Sequence, residues 1–343
     1  MTATELHGSE SAIARLRARS ALKRYTYLAH GLSLSSAWPL AWLHAIDCAD
    51  GAPDVSLVRL RPEQVWTPRP RDFVVRDSGH LSVAMAGNRV ALWAYCGTKA
   101  QFERLSGAQG LRIGVYRPRG LPSDRFEHSL LHVILPNALA ASGITVLHAA
   151  AVVVRGQAFL FAGESGMGKS TLAAGLAARG YTVLGEDIAR VEWRAGQMVT
   201  YASYPGARLR SNSFLLEAQG VRVRSGRFGL PKHRVHPEAT PATPDPFPVA
   251  GVFMLMRSRQ VGPVASRLKL AEALPHLLQS AFLQTLPRAS RAQEAIERSM
   301  RILRSCPIQA LSYRRSASDF DAMLERLITL LARGEEKTKE EGL

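Results

Sequence analysis

The chain has 343 residues, 46% of them hydrophobic and 21% charged. That balance buries a sizeable core and excludes both a disordered tail and a bundle of membrane spans. Basic residues outnumber acidic ones by 44 to 28, a net charge of +16, which admits anionic partners without selecting one. Only seven of the 44 are lysines, and this arginine skew beside abundant alanine reads as genome composition rather than a binding patch. Cys48, Cys96 and Cys306 are odd in number and far apart, so neither a disulfide framework nor a zinc cluster is expected.

The length predicts two domains. Met1 to Arg24 carries Glu5 and Glu10 and lacks an unbroken apolar core, so no secretion signal is expected and the cytoplasm fits best. Residues 1–125 form an accessory, β-rich α+β domain, with strands at Val55 to Leu60, Leu81 to Ala86 and Val90 to Tyr95 and turns at Asp77-Ser78-Gly79 and Gly87-Asn88. Its Trp38, Trp42, Trp66, Phe73 and Trp93 read as core. No catalytic constellation is apparent there.

A second domain, 126–334, opens with an apolar helix from Phe126 to Ala141. The apolar run Leu130 to Val154 is broken by His132, Pro136, Asn137, Ser142, Gly143 and His148, so it does not predict a membrane span and a soluble chain is expected. Ala149 to Val154 and Gln157 to Ala162 form a hairpin about Arg155-Gly156. The proline-rich stretch His236 to Pro248 is a loop. Val252 to Met256 is a buried strand, Leu268 to Leu286 and Arg291 to Ser305 are helices, and Ile308 to Tyr313 is a strand. The last helix is capped by Ser318 with Asp321 at capping-box spacing, carries Phe320, Met323, Leu324, Leu327 and Leu331 on one face, and ends at Gly334. Residues 335–343 are a charged tail.

Gly163-Glu164-Ser165-Gly166-Met167-Gly168-Lys169-Ser170-Thr171 fits G-x-x-x-x-G-K-[ST]. The apolar strand Phe159-Leu160-Phe161 enters it, and a helix from Thr171 to Arg179, stopped by Gly180, leaves it. Three glycines let successive amides point inward around a phosphate, and the helix dipole adds to that field. Lys169 reaches the outer phosphate oxygens and Ser170 offers a hydroxyl to magnesium, so a purine triphosphate is the expected ligand.

Downstream, Tyr181-Thr182-Val183-Leu184 is a strand beside the loop's strand, ending in Gly185-Glu186-Asp187. Two acids at the carboxyl edge of a parallel sheet face the phosphate crevice and can divide two jobs, holding magnesium and accepting a proton from an attacking hydroxyl. Glu186 could supply that base. His148, at the start of the hairpin, could orient the acid.

At these residues the sequence resembles the catalytic domain of HPr kinase/phosphorylase and the wider group of HPr-kinase-like serine kinases, some of which act on ribosomal peptide precursors. The matching pattern is His148, the hairpin, Gly163 to Ser170, Arg179-Gly180 and Glu186-Asp187, specific over about Leu147 to Val191 and diffuse from there to about Leu331. The resemblance implies an α/β fold with a central mixed sheet, ATP on Lys169 and the loop amides, Mg2+ on Ser170 and Asp187, Glu186 as the base toward an acceptor serine of a protein or peptide, and His148 supporting it. Family members often form homo-oligomers. The arginine-glycine segment that serves the family's reverse phosphorolysis is not recognisable after Asp187, so that activity is not expected.

The densest basic region runs from Pro205-Gly206-Ala207-Arg208-Leu209-Arg210 through Arg222-Val223-Arg224 to Lys232-His233-Arg234. Arg208, Arg210 and Lys232 are its candidate contacts to a phosphate or an acidic acceptor. Phe214 and Phe228 are the only Phe, Tyr or Trp rings within it, too few for a nucleic-acid platform. Besides the serine kinase, two readings stay open: a nucleotide-binding regulatory module without phosphoryl transfer, and a small-molecule kinase.

Overall fold

A computed structural model describes residues 24–47, 51–75, 81–210, 213–218, 232–258, 263–283, 285, 291–314 and 316–340. The expected turn at Asp77-Ser78-Gly79 and the basic residues Arg222 and Arg224 lie outside them. Among the described residues no helix is long and apolar enough to cross a membrane.

The chain is an α/β protein of two mixed sheets. The first holds β1 (Tyr25–Ala29), β2 (Leu32–Ser36), β3 (His44–Ala45), β4 (Val55–Arg59), β5 (Phe73–Val75), β6 (Leu81–Ala86), β7 (Arg89–Ala94), β8 (Lys99–Glu103) and β9 (Leu111–Tyr116), in the order 3-1-2-4-9-8-7-6-5. Its β2–β4 and β4–β9 pairings are parallel. The β6–β7 hairpin turns at Gly87, whose φ of 58° favours glycine.

Next comes one helical stretch in three pieces: α1 (Ser123–Ser129), a widened π-type turn (Leu130–Ile134) and α2 (Leu135–Ala141). Pro136 explains the widening, because its ring crowds the carbonyl four residues back and it has no N–H to donate. The side chains of Phe126, Leu130, Leu131, Ile134 and Leu139 share one core with Leu34, Leu57, Val83, Leu92 and Ile113 of the first sheet. The helix expected to open the second domain thus packs as the cover of the first sheet. An apolar surface that wide needs a sheet face to bury it.

The remaining strands are β10 (Thr145–Leu147), β11 (Ala149–Val154), β12 (Gln157–Ala162), β13 (Thr182–Gly185), β14 (Ala189–Arg194), β15 (Gln197–Thr200), β16 (Ala207–Arg210), β17 (Lys232–Val235), β18 (Phe247–Arg257), β19 (Val264–Arg267) and β20 (Ile308–Tyr313). With them run α3 (Lys169–Ala177), α4 (Phe214–Ala218), α5 (Leu270–Ser280), α6 (Arg291–Ser305) and α7 (Phe320–Glu340). The second sheet has the order 10-14-15-18-12-11-13, with β20 also on β18 and β19 on β20, while β16 and β17 form a separate ribbon. The β11–β12 hairpin turns through Arg155 and Gly156, both at positive φ, as the primed turn of a two-residue loop requires.

Side-chain alternation along β12 divides the second sheet's two faces. Phe159 and Phe161 pack with Leu172 and Leu176 of α3 and Leu324 and Leu327 of α7. Leu160 and Ala162 pack with Leu277 of α5 and Ile302 of α6. Two boundaries differ from expectation. The helix expected over Leu268 to Leu286 stops at Ser280, because Ala281 leaves it to pair with Leu147. The last helix runs past Gly334 to Glu340, since one helical glycine costs only about 1 kcal/mol and glutamate and lysine follow it. Ser318 bonds Ser316 and Asp319 instead of capping that helix.

Candidate active site

The glycine loop leaves β12 and enters α3. Gly163, Gly166 and Gly168 have φ values of 144°, 84° and 103°, a region that side chains with a Cβ rarely adopt. A Cβ on Gly163 would also stand 3.3 Å from the Leu255 carbonyl oxygen. Gly180 at φ 80° closes the far end of the helix, and the Tyr181 amide donates back to Leu176 at 3.1 Å. Lys169 is buried, and its ammonium donates to the carbonyls of Gly163, at 2.6 Å, and Glu164, at 3.2 Å. Its side chain thus curls back over the loop. Glu164 reaches Gln279 on α5 at 3.2 Å, and Thr171 follows Ser170 on the first turn of α3.

The acids stand at the carboxyl end of β13, which does not lie beside β12 as expected. The hairpin partner β11 already fills that place, and β13 pairs with β11. Because β11 runs antiparallel to both, β12 and β13 still point the same way, and their ends share one edge of the sheet. Gly185 is tight: a Cβ there would stand 2.0 Å from the Ser203 hydroxyl.

Glu186 is 2% exposed. One of its oxygens accepts from the Ser170 hydroxyl, and the other accepts from Arg208 Nε at 2.8 Å. Asp187 meets His148 Nδ1 at 3.2 Å through one oxygen, and His132 Nδ1 at 3.1 Å and Arg208 Nη2 at 3.3 Å through the other. These pairings reverse the expected ones: Ser170 sits on Glu186, not Asp187, and His148 sits on Asp187, not Glu186. Both acids lie in the bend between β13 and β14, and Arg208 meets each of them.

Arg208 on β16, 5% exposed, is the hub of the cluster. Besides both acids it meets His128 Nδ1 at 2.7 Å and His132 Nδ1 at 2.9 Å, and it lies 5.4 Å from the Trp42 ring centroid. Trp42 packs, partly buried, against the first core as expected, and is also a wall of the site, whereas Trp38 lies fully within that core. The backbone amides of Ala41 and Trp42 both donate to the buried Glu127 carboxylate. Burial pushes that carboxyl up, against the pull of those two amides.

The electrostatics separate the two histidines on Asp187. Burial pushes both pKa values below 6.5, His132 well below it, with Arg208 adding to the effect at His132 and Asp187 opposing it at each. Burial alone would raise the Asp187 carboxyl, but the His132 hydrogen bond, the electrostatic pull of the His148 and His132 rings and the Arg208 guanidinium hold it well below 3.8. His132 is sealed, its side chain 2% exposed and its Nε2 without a partner, whereas the His148 side chain is 34% exposed. A neutral His148 that donates its Nδ1 proton to Asp187 keeps a lone pair on Nε2, the arrangement of a general base.

Arg210 and Lys232 face each other in register across the β16–β17 ribbon; their side chains lie outside the described part of the chain. Of the three basic candidates, Arg208 joins the acids. Sequence reasoning missed His128, His132, Glu127 and Trp42. The i, i+4 spacing of the two histidines was the available signal for them, and Trp42 had none.

Among the described residues no group of three or more His, Cys, Asp or Glu is arranged to hold a metal ion by itself. A hydroxyl and a carboxylate on adjacent elements suit magnesium, which needs few protein oxygens when phosphates supply the rest. Ser170 and Glu186 make that set.

No family model matches the chain. No curated protein matches it either. Among solved structures, the HPr(Ser) kinase/phosphatase from Coxiella burnetii aligns over 57% of this chain and 94% of its own, at 11% identity and a TM-score of 0.32.

Proposed function

We propose that the chain is a magnesium- and ATP-dependent kinase that transfers the γ-phosphoryl group to a serine hydroxyl of a protein or peptide. The observation that carries this reading is the line of contacts from the glycine loop through Ser170 and Glu186 to Arg208, Asp187 and His148. A phosphate on the loop would draw Lys169 away from the Gly163 and Glu164 carbonyls. Ser170 and Glu186 would hold the magnesium ion, whose charge neutralises the triphosphate oxygens when bound.

In this reading the acceptor hydroxyl oxygen forms the new bond to the γ-phosphorus as the bond to the β-bridging oxygen breaks and ADP leaves. The hydroxyl proton passes to His148 Nε2, and Asp187 stabilises the imidazolium through Nδ1. Glu186 thus takes the magnesium role that the family resemblance implied for Asp187, the base role passes from Glu186 to His148, and Asp187 takes the supporting role implied for His148. A base so placed contributes about 10² to 10⁴ in rate.

The test is transfer of labelled γ-phosphate from ATP into a size-fractionated lysate, with nucleotide affinity measured in parallel. Wild type should label a protein or peptide, and Asp187→Asn and His148→Gln should lose most transfer at unchanged ATP affinity. Glu186→Gln should instead raise the magnesium concentration needed. Loss of transfer in Glu186→Gln with unchanged magnesium dependence would return the base role to Glu186. Label in the low-molecular-weight fraction would mark a small-molecule kinase. ATP bound without any transfer would mark a regulatory module, for which the Trp42–Arg208 contact supplies the link to the first sheet.

A further inference from the structure

The strand order separates the surroundings of the glycine loop into two sides. The acids end β13, two strands from β12 on one side. On the other side stand β18 and then β20, both parallel to β12, so that all three end at the same edge of the sheet. Beyond those two strand ends opens a cavity of about 490 Å³, lined by Gly168 and Thr171 of the loop and first helical turn, Arg257 at the end of β18, Tyr313 at the end of β20, Arg314, and Phe214.

Its size lies within the usual range for small-molecule sites, about 300–1,000 Å³. Its chemistry differs from that of the carboxylate side. Phe214 stands edge-on to Phe320 at 5.1 Å, and a phosphate has no use for rings. Aromatic faces beside guanidinium groups suit a flat heterocycle, which stacks on both. A nucleotide laid across the loop with its γ-phosphate toward Glu186 and Asp187 must carry its other end toward β18 and β20, because ligands on such sheets follow the carboxyl ends of the strands.

We infer that this cavity is a nucleoside subsite, taking the base and ribose of the nucleotide whose phosphates lie on the glycine loop. The inference rests on the reading of the chain as nucleotide-dependent. It assigns Phe214 and Arg257 to the base and leaves the phosphates to the loop.

The experiment compares calorimetric binding of ATP and of inorganic tripolyphosphate, each with magnesium, to the full chain and to Phe214→Ala and Arg257→Ala. The wild type should bind ATP at least tenfold more tightly than tripolyphosphate. Each variant should lose at least fivefold in ATP affinity and keep its tripolyphosphate affinity within twofold. Unchanged ATP affinity in both variants, equal losses for both ligands, or a wild type that does not distinguish the ligands would overturn the subsite while leaving phosphate binding on the loop in place. A wild type that binds neither ligand would overturn the nucleotide reading itself, and the subsite with it. Should Phe214→Ala fail to fold, Arg257→Ala, which alters an exposed residue at a strand end, decides alone.

Discussion

Arg208→Met keeps most of the side-chain volume and removes the charge. Arg208 and Glu186 are 6% and 3% exposed at their side chains, and Asp187 15%, so the change leaves one buried and one largely buried carboxylate without their shared cation. Breaking a buried pair from one side costs about 3–5 kcal/mol. The lower end is expected, because solvent reaches part of Asp187. Urea unfolding at pH 7.5, followed by tryptophan fluorescence, measures the loss. Arg208→Met/Glu186→Gln should be more stable than the single variant, since the stranded charge is gone, and magnesium should stabilise Arg208→Met more than wild type. A loss below about 1 kcal/mol in Arg208→Met, or a double variant no better than the single one, would refute the view that Arg208 neutralises these acids.

Three further outcomes are expected. Burial pushes His30 down to about 3, with Arg190 adding to the effect, and His132 well below 6.5; the unfolded chain therefore takes up protons first as the pH falls. Their contribution is complete above about 6.5 and declines below it, each by up to about 1.4 kcal/mol per pH unit, until the folded-state value is reached; Asp187, held below 3.8, adds its own loss beneath that value. A urea midpoint that stays flat between pH 7.5 and 5 would contradict this. Lys169→Ala should leave the fold intact by circular dichroism and abolish binding of both ATP and tripolyphosphate, because the ammonium is the loop's own cation. Gly185→Ala drives a Cβ into the Ser203 hydroxyl and should cost about 1–3 kcal/mol, part of which Ser203→Gly restores in a thermal melt.

The hairpin, the glycine loop with its helix, the final helix and the acidic pair were legible in the sequence because each is fixed by local rules: turn residues, left-handed glycines, apolar periodicity. The place of β13 was not. The expectation that it adjoins β12 overlooked that the hairpin had filled one side of β12, leaving the other for β18. Site membership was partly legible in Glu186, Asp187, His148 and Lys169, but the partner of each acid depends on which way side chains leave the bend after β13. His128 and His132 hid in a stretch that reads as plain core. Trp42 reaches the site through a contact between distant parts of the chain, which no short-range pattern encodes.

The pairing of β18 also orders events in time. Phe161 pairs with Phe253, and Phe253 with Gln309, so the strand that carries the glycine loop is flanked on both sides only after most of the chain has left the ribosome. The first core needs much less: apart from Ile188 and Tyr204, it is built from residues 27–146. Short loops close at lower entropic cost and sooner than long ones, and synthesis from the N-terminus favours the same sequence. The first sheet, its helical cover and the wall that bears Trp42, His128 and His132 can thus assemble while the strand that carries the phosphate loop has only its hairpin partner β11 beside it, and the acids are later set against a surface already in place.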